Sequence, residues 1–121
     1  MKKILVVDDE PEIVELLSMR LGAQGYEVIT ALGGAEAISL TRSQHPDLII
    51  LDVMMPAPDG YEVAGTLKND PAVSAIPIIM LTAKTSEKDK EVGAKVGVSN
   101  YITKPYDPIQ LINTIKDLIG E

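Results

Sequence analysis

The sequence predicts a doubly wound α/β fold with a largely parallel sheet, and three observations carry that expectation. Apolar blocks of strand length alternate strictly with longer segments of helical period. Three of the blocks are runs without polar alternation, as needed by strands covered with helices on both faces. At 121 residues the chain is long enough to bury most of one core without cross-links, so one domain over residues 1–121 is expected.

The elements follow in order. The first block, Ile4 to Val7, ends in Asp8 and Asp9, and a helix begins near Pro11, a residue suited to a first turn. Ile13, Leu17 and Leu21 fall on one face of that helix, and Gly22 and Gly25 mark its end. The second block runs from Tyr26 to Ala31 and the third from Leu48 to Leu51, straight into Asp52 and a loop with Pro56, Pro58 and Gly60. The fourth, Ile76 to Leu81, delivers Thr82, and the fifth, Val98 to Thr103, delivers Lys104. In the last helix Pro108 suits the first turn, and Asp107 with Gln110 reads as a capping box. Its inner face would carry Leu111 or Ile112, Ile115, and Leu118 or Ile119, with Gly120 at the end. The total is five strands and five helices, without linker, low-complexity tract or clear repeat.

Composition excludes several function classes. There is no cysteine, so disulfides, thiolate metal sites and a thiol nucleophile are out. The net charge of −7, from 18 acidic against 11 basic residues, argues against direct nucleic-acid binding. The apolar stretch after Lys3 is too short and too quickly followed by acid for a signal peptide, and no run approaches membrane-spanning length. A cytoplasmic protein with no membrane contact is the expectation. The single histidine, His45, precedes Pro46 in a loop and reads as a solvated surface residue.

In an open parallel sheet with right-handed crossovers, ligands gather beyond the carboxyl ends of the strands. Four of the five blocks end there in a charged residue or a hydroxyl: Asp8 and Asp9, Asp52, Thr82 and Lys104. Taken singly, an aspartate after a strand is as readily a turn residue or helix cap, Thr82 a plain strand residue, and Lys104 a solvated lysine. Together they are harder to dismiss, because converging carboxylates repel unless a cation is present, and oxygen donors with room for water suit Mg²⁺. A carboxylate can itself attack phosphorus to give an acyl phosphate, and Asp52, on the middle strand, is the best placed to do so. Lys104 would face the acceptor or the phosphoryl group, Thr82 would donate one hydrogen bond, and Gly60 and Pro56 would shape the loop.

The set VVDDEP, LIILDVMMPAPDG, IIMLTAK and YITKPY, in that order and spacing, resembles the receiver domain of two-component response regulators, and the resemblance covers the whole chain. It implies a flavodoxin-like (βα)5 fold with a five-stranded parallel sheet in the order 2-1-3-4-5. It implies that Asp52 accepts a phosphoryl group from a sensor histidine kinase or phosphotransfer protein. Mg²⁺, or Mn²⁺, would be held by Asp9 directly, Asp8 more through water, Asp52, and the backbone carbonyl of Met54. Thr82, Ala83 and Lys104 would surround the phosphoryl group, Thr82 and Tyr101 would form the switch pair, and the Lys104–Pro105 bond would be cis. Phosphorylation adds about −1.5 to −2 charges and three acceptor oxygens. As Thr82 is drawn in, Tyr101 would turn inward and bias a face made by the fourth helix, fifth strand and fifth helix. Met54 and Lys84 would flank the path of the water that ends the phosphorylated state.

The chain departs from the family's usual wording at Ala57, where glycine is common, with Pro58 following, and at Val98, Ser99 and Asn100, where acidic residues are common. Two rival readings fit less well. A Mg²⁺-dependent phosphohydrolase with an aspartate nucleophile would carry an acid two places on, where Met54 stands, and a degenerate binding module would lack Asp9, Asp52 or Lys104. No turnover enzyme is expected beyond the domain's own phosphorylation and dephosphorylation. The chain ends one residue after Gly120. Output would therefore run through a downstream protein partner, an effector domain outside this sequence, or a phosphorylation-dependent homodimer.

Overall fold

The computed structural model describes residues 1–83, 97–104 and 106–120. Five strands form one parallel sheet: β1 (Lys3–Val7), β2 (Glu27–Ala31), β3 (Leu48–Leu51), β4 (Ile78–Thr82) and β5 (Asn100–Thr103). Their order is β2-β1-β3-β4-β5, the flavodoxin-like arrangement expected. Among the described residues there are four helices: α1 (Pro11–Ala23), α2 (Gly34–Gln44), α3 (Gly60–Lys68) and α4 (Pro108–Ile119). The further helix expected between β4 and β5 falls on residues 84–96, and with it Lys84, outside the described residues.

The alternation of side chains along the central strands builds two cores. Leu5, Val7, Ile49, Leu51, Ile78 and Met80 point to one face and pack with Ala37 of α2 and Val63, Ala64 and Leu67 of α3. Ile4, Val6, Leu48, Ile50, Ile79 and Leu81 point to the other, against Val14, Leu17 and Leu21 of α1 and Leu111 and Ile115 of α4. Every residue of β3 is buried, which is the physical content of the unbroken run LIIL. On α1 it is Val14 rather than Ile13 that joins Leu17 and Leu21 at the centre of the buried stripe.

Where element ends differ from the sequence reading, backbone hydrogen bonds account for it. Tyr26 donates its N–H to the Leu21 carbonyl at 3.2 Å and so closes α1, leaving Glu27, bonded to the Lys2 carbonyl at 2.9 Å, to start the ladder of β2. Ile76 is held in a turn by its N–H to the Val73 carbonyl at 3.1 Å, and Pro77 has no N–H, so β4 begins at Ile78. Val98 and Ser99 precede β5, which begins at Asn100, although the Ser99 N–H already donates to the Ile78 carbonyl at 2.8 Å. Asp107 does cap α4, but its carboxylate accepts from the Ile109 N–H at 2.9 Å and no capping box with Gln110 forms. The box is at α3 instead: the Asp59 carboxylate accepts from the Glu62 N–H at 2.9 Å while the Glu62 carboxylate accepts from the Asp59 N–H at 3.0 Å. His45 is exposed and ends α2 in the left-handed conformation, with φ 46°.

Two substitutions test this framework. Ile50→Ala removes a fully buried side chain from the middle strand and lowers the unfolding free energy by about 2–5 kcal/mol. Asp59→Ala removes the α3 cap at a cost of about 0.5–2 kcal/mol. Urea unfolding with an unchanged slope is the measurement for both.

Candidate functional site

Register brings the first two acids together. Val7 stands opposite Leu51 in the β1–β3 pair, so the next residue on each strand, Asp8 and Asp52, emerges at the same edge. The Asp52 N–H donates to the Val7 carbonyl at 3.0 Å, and the Asp8 N–H to the Ala31 carbonyl at 3.2 Å. Both side chains are buried, Asp8 to 2 % exposure and Asp52 to 4 %. Each carboxylate uses its two oxygens alike. One accepts the backbone N–H two residues on, Glu10 to Asp8 at 3.0 Å and Met54 to Asp52 at 3.2 Å, and the other faces Lys104.

Lys104 leaves the end of β5 and places its ammonium against both acids. Its Nζ donates to Asp8 Oδ2 at 2.8 Å and lies 3.7 Å from Asp52 Oδ2. Lys104 is not a solvated surface lysine, since its side chain keeps only 18 % exposure. Burial by itself pulls the Lys104 pKa down, but the hydrogen bond to Asp8 and the negative charges of Asp52, Asp8 and Glu10 outweigh it and hold the pKa above the ordinary lysine value.

Asp9 and Glu10, both exposed, extend the acid group outward. One carboxylate oxygen from each of Asp8, Asp9 and Glu10 lies within 4.8 Å of the others. Glu10 adds an acid beyond those expected at the strand ends, and its signal in the sequence is the unbroken run Asp8-Asp9-Glu10. Among the described residues the Lys104 ammonium pairs with two carboxylates, Asp8 and Asp52, and Asp8 in turn joins Asp9 and Glu10. That donor set, all oxygen with excess negative charge, fits a hard divalent cation such as Mg²⁺.

The loop after Asp52 is held down by glycine. The Gly60 N–H donates to the Val53 carbonyl at 3.1 Å, and a Cβ at Gly60 would collide with the Asp52 backbone carbonyl and come within 2.6 Å of the Val53 Cα. Gly34, at the start of α2, allows the same closeness on the other side, since a Cβ there would strike the Pro58 carbonyl and lie 2.7 Å from Val63 Cγ2. The cis peptide bond of this region joins Ala57 to Pro58. The bond expected to be cis, Lys104–Pro105, lies outside the described residues, as does the Thr82 side chain. Met54 is exposed, at 54 %. Tyr101 is half-buried against the core of α2 and α3, and its hydroxyl lies 3.5 Å from that of Tyr61. Beside Lys104 a cavity of about 520 Å³ opens, lined by Ile13, Leu16 and Arg20 of α1 and by Ala83, Tyr106 and Pro108.

The family model of the response regulator receiver domain matches residues 4–116. The chain belongs to this family. This receiver domain is 47 % identical over 118 residues to the alkaline phosphatase synthesis transcriptional regulatory protein PhoP of Bacillus subtilis, covering 98 % of this chain and 48 % of that protein. The chain thus spans about half the length of the curated relatives it matches. Among solved structures it is similar to the chemotaxis protein CheY4 of Vibrio cholerae, at TM-score 0.92 and 36 % identity over 98 % of each chain. It is also similar to the receiver domain of the sensor histidine kinase PA1611 of Pseudomonas aeruginosa, at TM-score 0.90 and 28 % identity over 99 % of this chain and 98 % of that one. The PA1611 structure has a magnesium ion coordinated in its active site cleft. Among the described residues no helix is long and apolar enough to cross a membrane.

The Lys104 ion pairs give a pH signature. Because the folded-state pKa lies above the unfolded one, the stabilisation is complete below the ordinary lysine value of about 10.4 and is lost as the pH rises through the higher folded value. Lys104→Met is expected to destabilise the fold at neutral pH by about 1–3 kcal/mol, less than the 3–5 kcal/mol typical when a fully buried pair loses one partner. The difference from wild type should shrink above pH ~10.4, as followed by urea unfolding across the pH range.

Proposed function

We propose that residues 1–121 form one receiver unit in which Asp52 is the phosphoacceptor, served by Lys104, with Asp8, Asp9 and the Met54 backbone carbonyl as the remaining ligands of a divalent cation. The observation that carries this reading is the Lys104 ammonium shared between Asp8 and Asp52, because it puts a mobile positive charge at the carboxylate that must receive a dianionic group. An Asp52 carboxylate oxygen bonds to phosphorus while the bond from phosphorus to the donor's imidazole nitrogen breaks, and the departing imidazole takes up a proton from solvent. Mg²⁺ or Mn²⁺, when bound, neutralises the oxygens of the transferring group. Backbone hydrogen bonds keep one oxygen of Asp8 and of Asp52 fixed, which orients the other toward the reacting side. Lys104 exchanges its carboxylate partners for phosphoryl oxygens, and Thr82 and Ala83 supply further contacts there. The magnesium in the PA1611 receiver and the acid group of Asp8, Asp9 and Glu10 support the choice of cation.

Turnover as a hydrolase is disfavoured. The position two places after Asp52, where a general acid would be needed, holds Met54 with its side chain in solvent. The phosphoryl donor is a sensor histidine kinase or phosphotransfer protein, and the open apolar cleft beside Lys104 supports approach of a protein donor from that side. A cytoplasmic location follows from such a donor. Output passes through the face of β5 and its flanking helices, with Thr82 and Tyr101 as the switch pair. The name of the PhoP relative, a transcriptional regulatory protein, supports an output through an effector in a longer protein.

Acetyl phosphate with Mg²⁺ tests the assignment. Wild type takes up label, and Asp52→Asn takes up none; undiminished label in that variant overturns the reading. Lys104→Met should still bind Mg²⁺ but label about 10²–10³ times more slowly, the loss usual for one stabilising donor. Chelation of the metal should abolish labelling in every form.

A further inference from the structure

Tyr61 is the second residue of α3 and Tyr101 the second of β5, elements far apart in the chain, yet their hydroxyl oxygens lie 3.5 Å apart. Both rings rest on the same core, with Val63, Ala64 and Met80. The backbone beneath Tyr61 is fixed relative to Asp52. Gly60 is pressed onto the Asp52 carbonyl and bonded to Val53, and the Asp59–Glu62 capping box locks the first turn of α3. Tyr101 stands three residues before Lys104 on the other side of the site. The hydroxyl pair therefore ties the turn behind the acceptor loop to the strand that carries the lysine.

We infer that Tyr61 is a positioning residue for Tyr101, whose hydroxyl holds the Tyr101 ring in its resting orientation so that the switch must break this contact to change state. The inference rests on the reading of Asp52 and Tyr101 given above. The Tyr101 orientation described is the one that coexists with the Lys104–Asp8 bond at 2.8 Å, a bond that, in the proposed function, Lys104 gives up for a phosphoryl oxygen. At 3.5 Å the oxygens are farther apart than the usual 2.7–2.8 Å of an O–H···O bond, so the contact is weak. Losing it should shift a two-state equilibrium about two- to fivefold.

The test uses beryllofluoride with saturating Mg²⁺ as the phosphoryl mimic, and protein carrying ¹³C-labelled rings at its four tyrosines. In wild type the Tyr101 ring signals shift on activation. Tyr61→Phe, which keeps the ring, should lower the beryllofluoride concentration for half-conversion about two- to fivefold and move the Tyr101 signals of the free protein toward their activated position. In a Tyr101→Phe background the same substitution should leave the midpoint, read from backbone amides of the acceptor loop, unchanged; a merely structural role would move it in both backgrounds. An unchanged or raised midpoint in Tyr61→Phe overturns the inference while leaving Asp52 as acceptor intact. If acetyl phosphate labels Asp52 but the wild-type Tyr101 ring does not respond, the switch reading fails and this inference falls with it. If Asp52 takes no label, the failure lies in the phosphoacceptor reading itself.

Discussion

Two carboxylates buried at the ends of adjacent parallel strands are an electrostatic liability that the rest of the site exists to manage. Asp8 and Asp52 come together because the β1–β3 register aligns Val7 with Leu51. Removed from water, such groups repel and are poorly solvated unless positive charge or hydrogen-bond donors reach them. The fold supplies both. Backbone N–H groups of Glu10 and Met54 hold one oxygen each, and the Lys104 ammonium neutralises part of the charge at the others. One ammonium paired with Asp8 and Asp52, with Asp9 and Glu10 beside Asp8, leaves the site negative, a condition that favours a divalent cation and, with it, an incoming anionic group.

The sheet makes this arrangement rigid where it must be and leaves it adjustable elsewhere. Asp8 and Asp52 directly follow strands whose side chains are packed on both faces, so their backbone positions are fixed by burial of residues such as Leu5, Val6, Ile49 and Ile50. Lys104 is the long and flexible member, reaching across from the edge strand. The acceptor loop is clamped between two glycines, Gly60 against the Asp52 carbonyl and Gly34 against Pro58, so its course depends on the absence of side chains at two points. Tyr61 grows out of that clamp and meets Tyr101 on β5, which joins the loop to the strand through side chains as well as through the sheet.

Secondary supports lie away from the chemistry. Lys68, at the end of α3, donates to the Ser74 carbonyl at 3.0 Å and to the Ile76 carbonyl at 2.8 Å, and so pins the turn that feeds β4. Lys68 is partly buried, and that burial lowers its pKa from the ordinary lysine value. Arg42 and Asp70 bridge α2 to the same turn at 3.0 Å, an exposed pair worth little by itself. These contacts hold the approach to β4, the strand that ends in Thr82.

By itself the sequence determined the alternation of five strands with helices, the parallel sheet, and the acids, hydroxyl and lysine that stand at strand ends. Unbroken apolar runs such as LIIL and the prolines at Pro11 and Pro108 are local signals, legible without neighbours. It was less reliable at boundaries: Tyr26 and Ile76 look like strand residues, and only backbone partners in the preceding helix end and turn exclude them, while β5 begins at Asn100 rather than at Val98. The α3 capping box is encoded by Asp59 and Glu62, a local signal masked by the prolines and glycine of the loop around it. The tertiary structure alone decided that Asp8 and Asp52 share one ammonium, that Glu10 joins the acid group, that Gly34 receives Pro58, and that Tyr61 meets Tyr101. Each of these joins residues distant in the chain or hangs on a side-chain direction, and such pairings are set by register and close packing, which local periodicity does not encode.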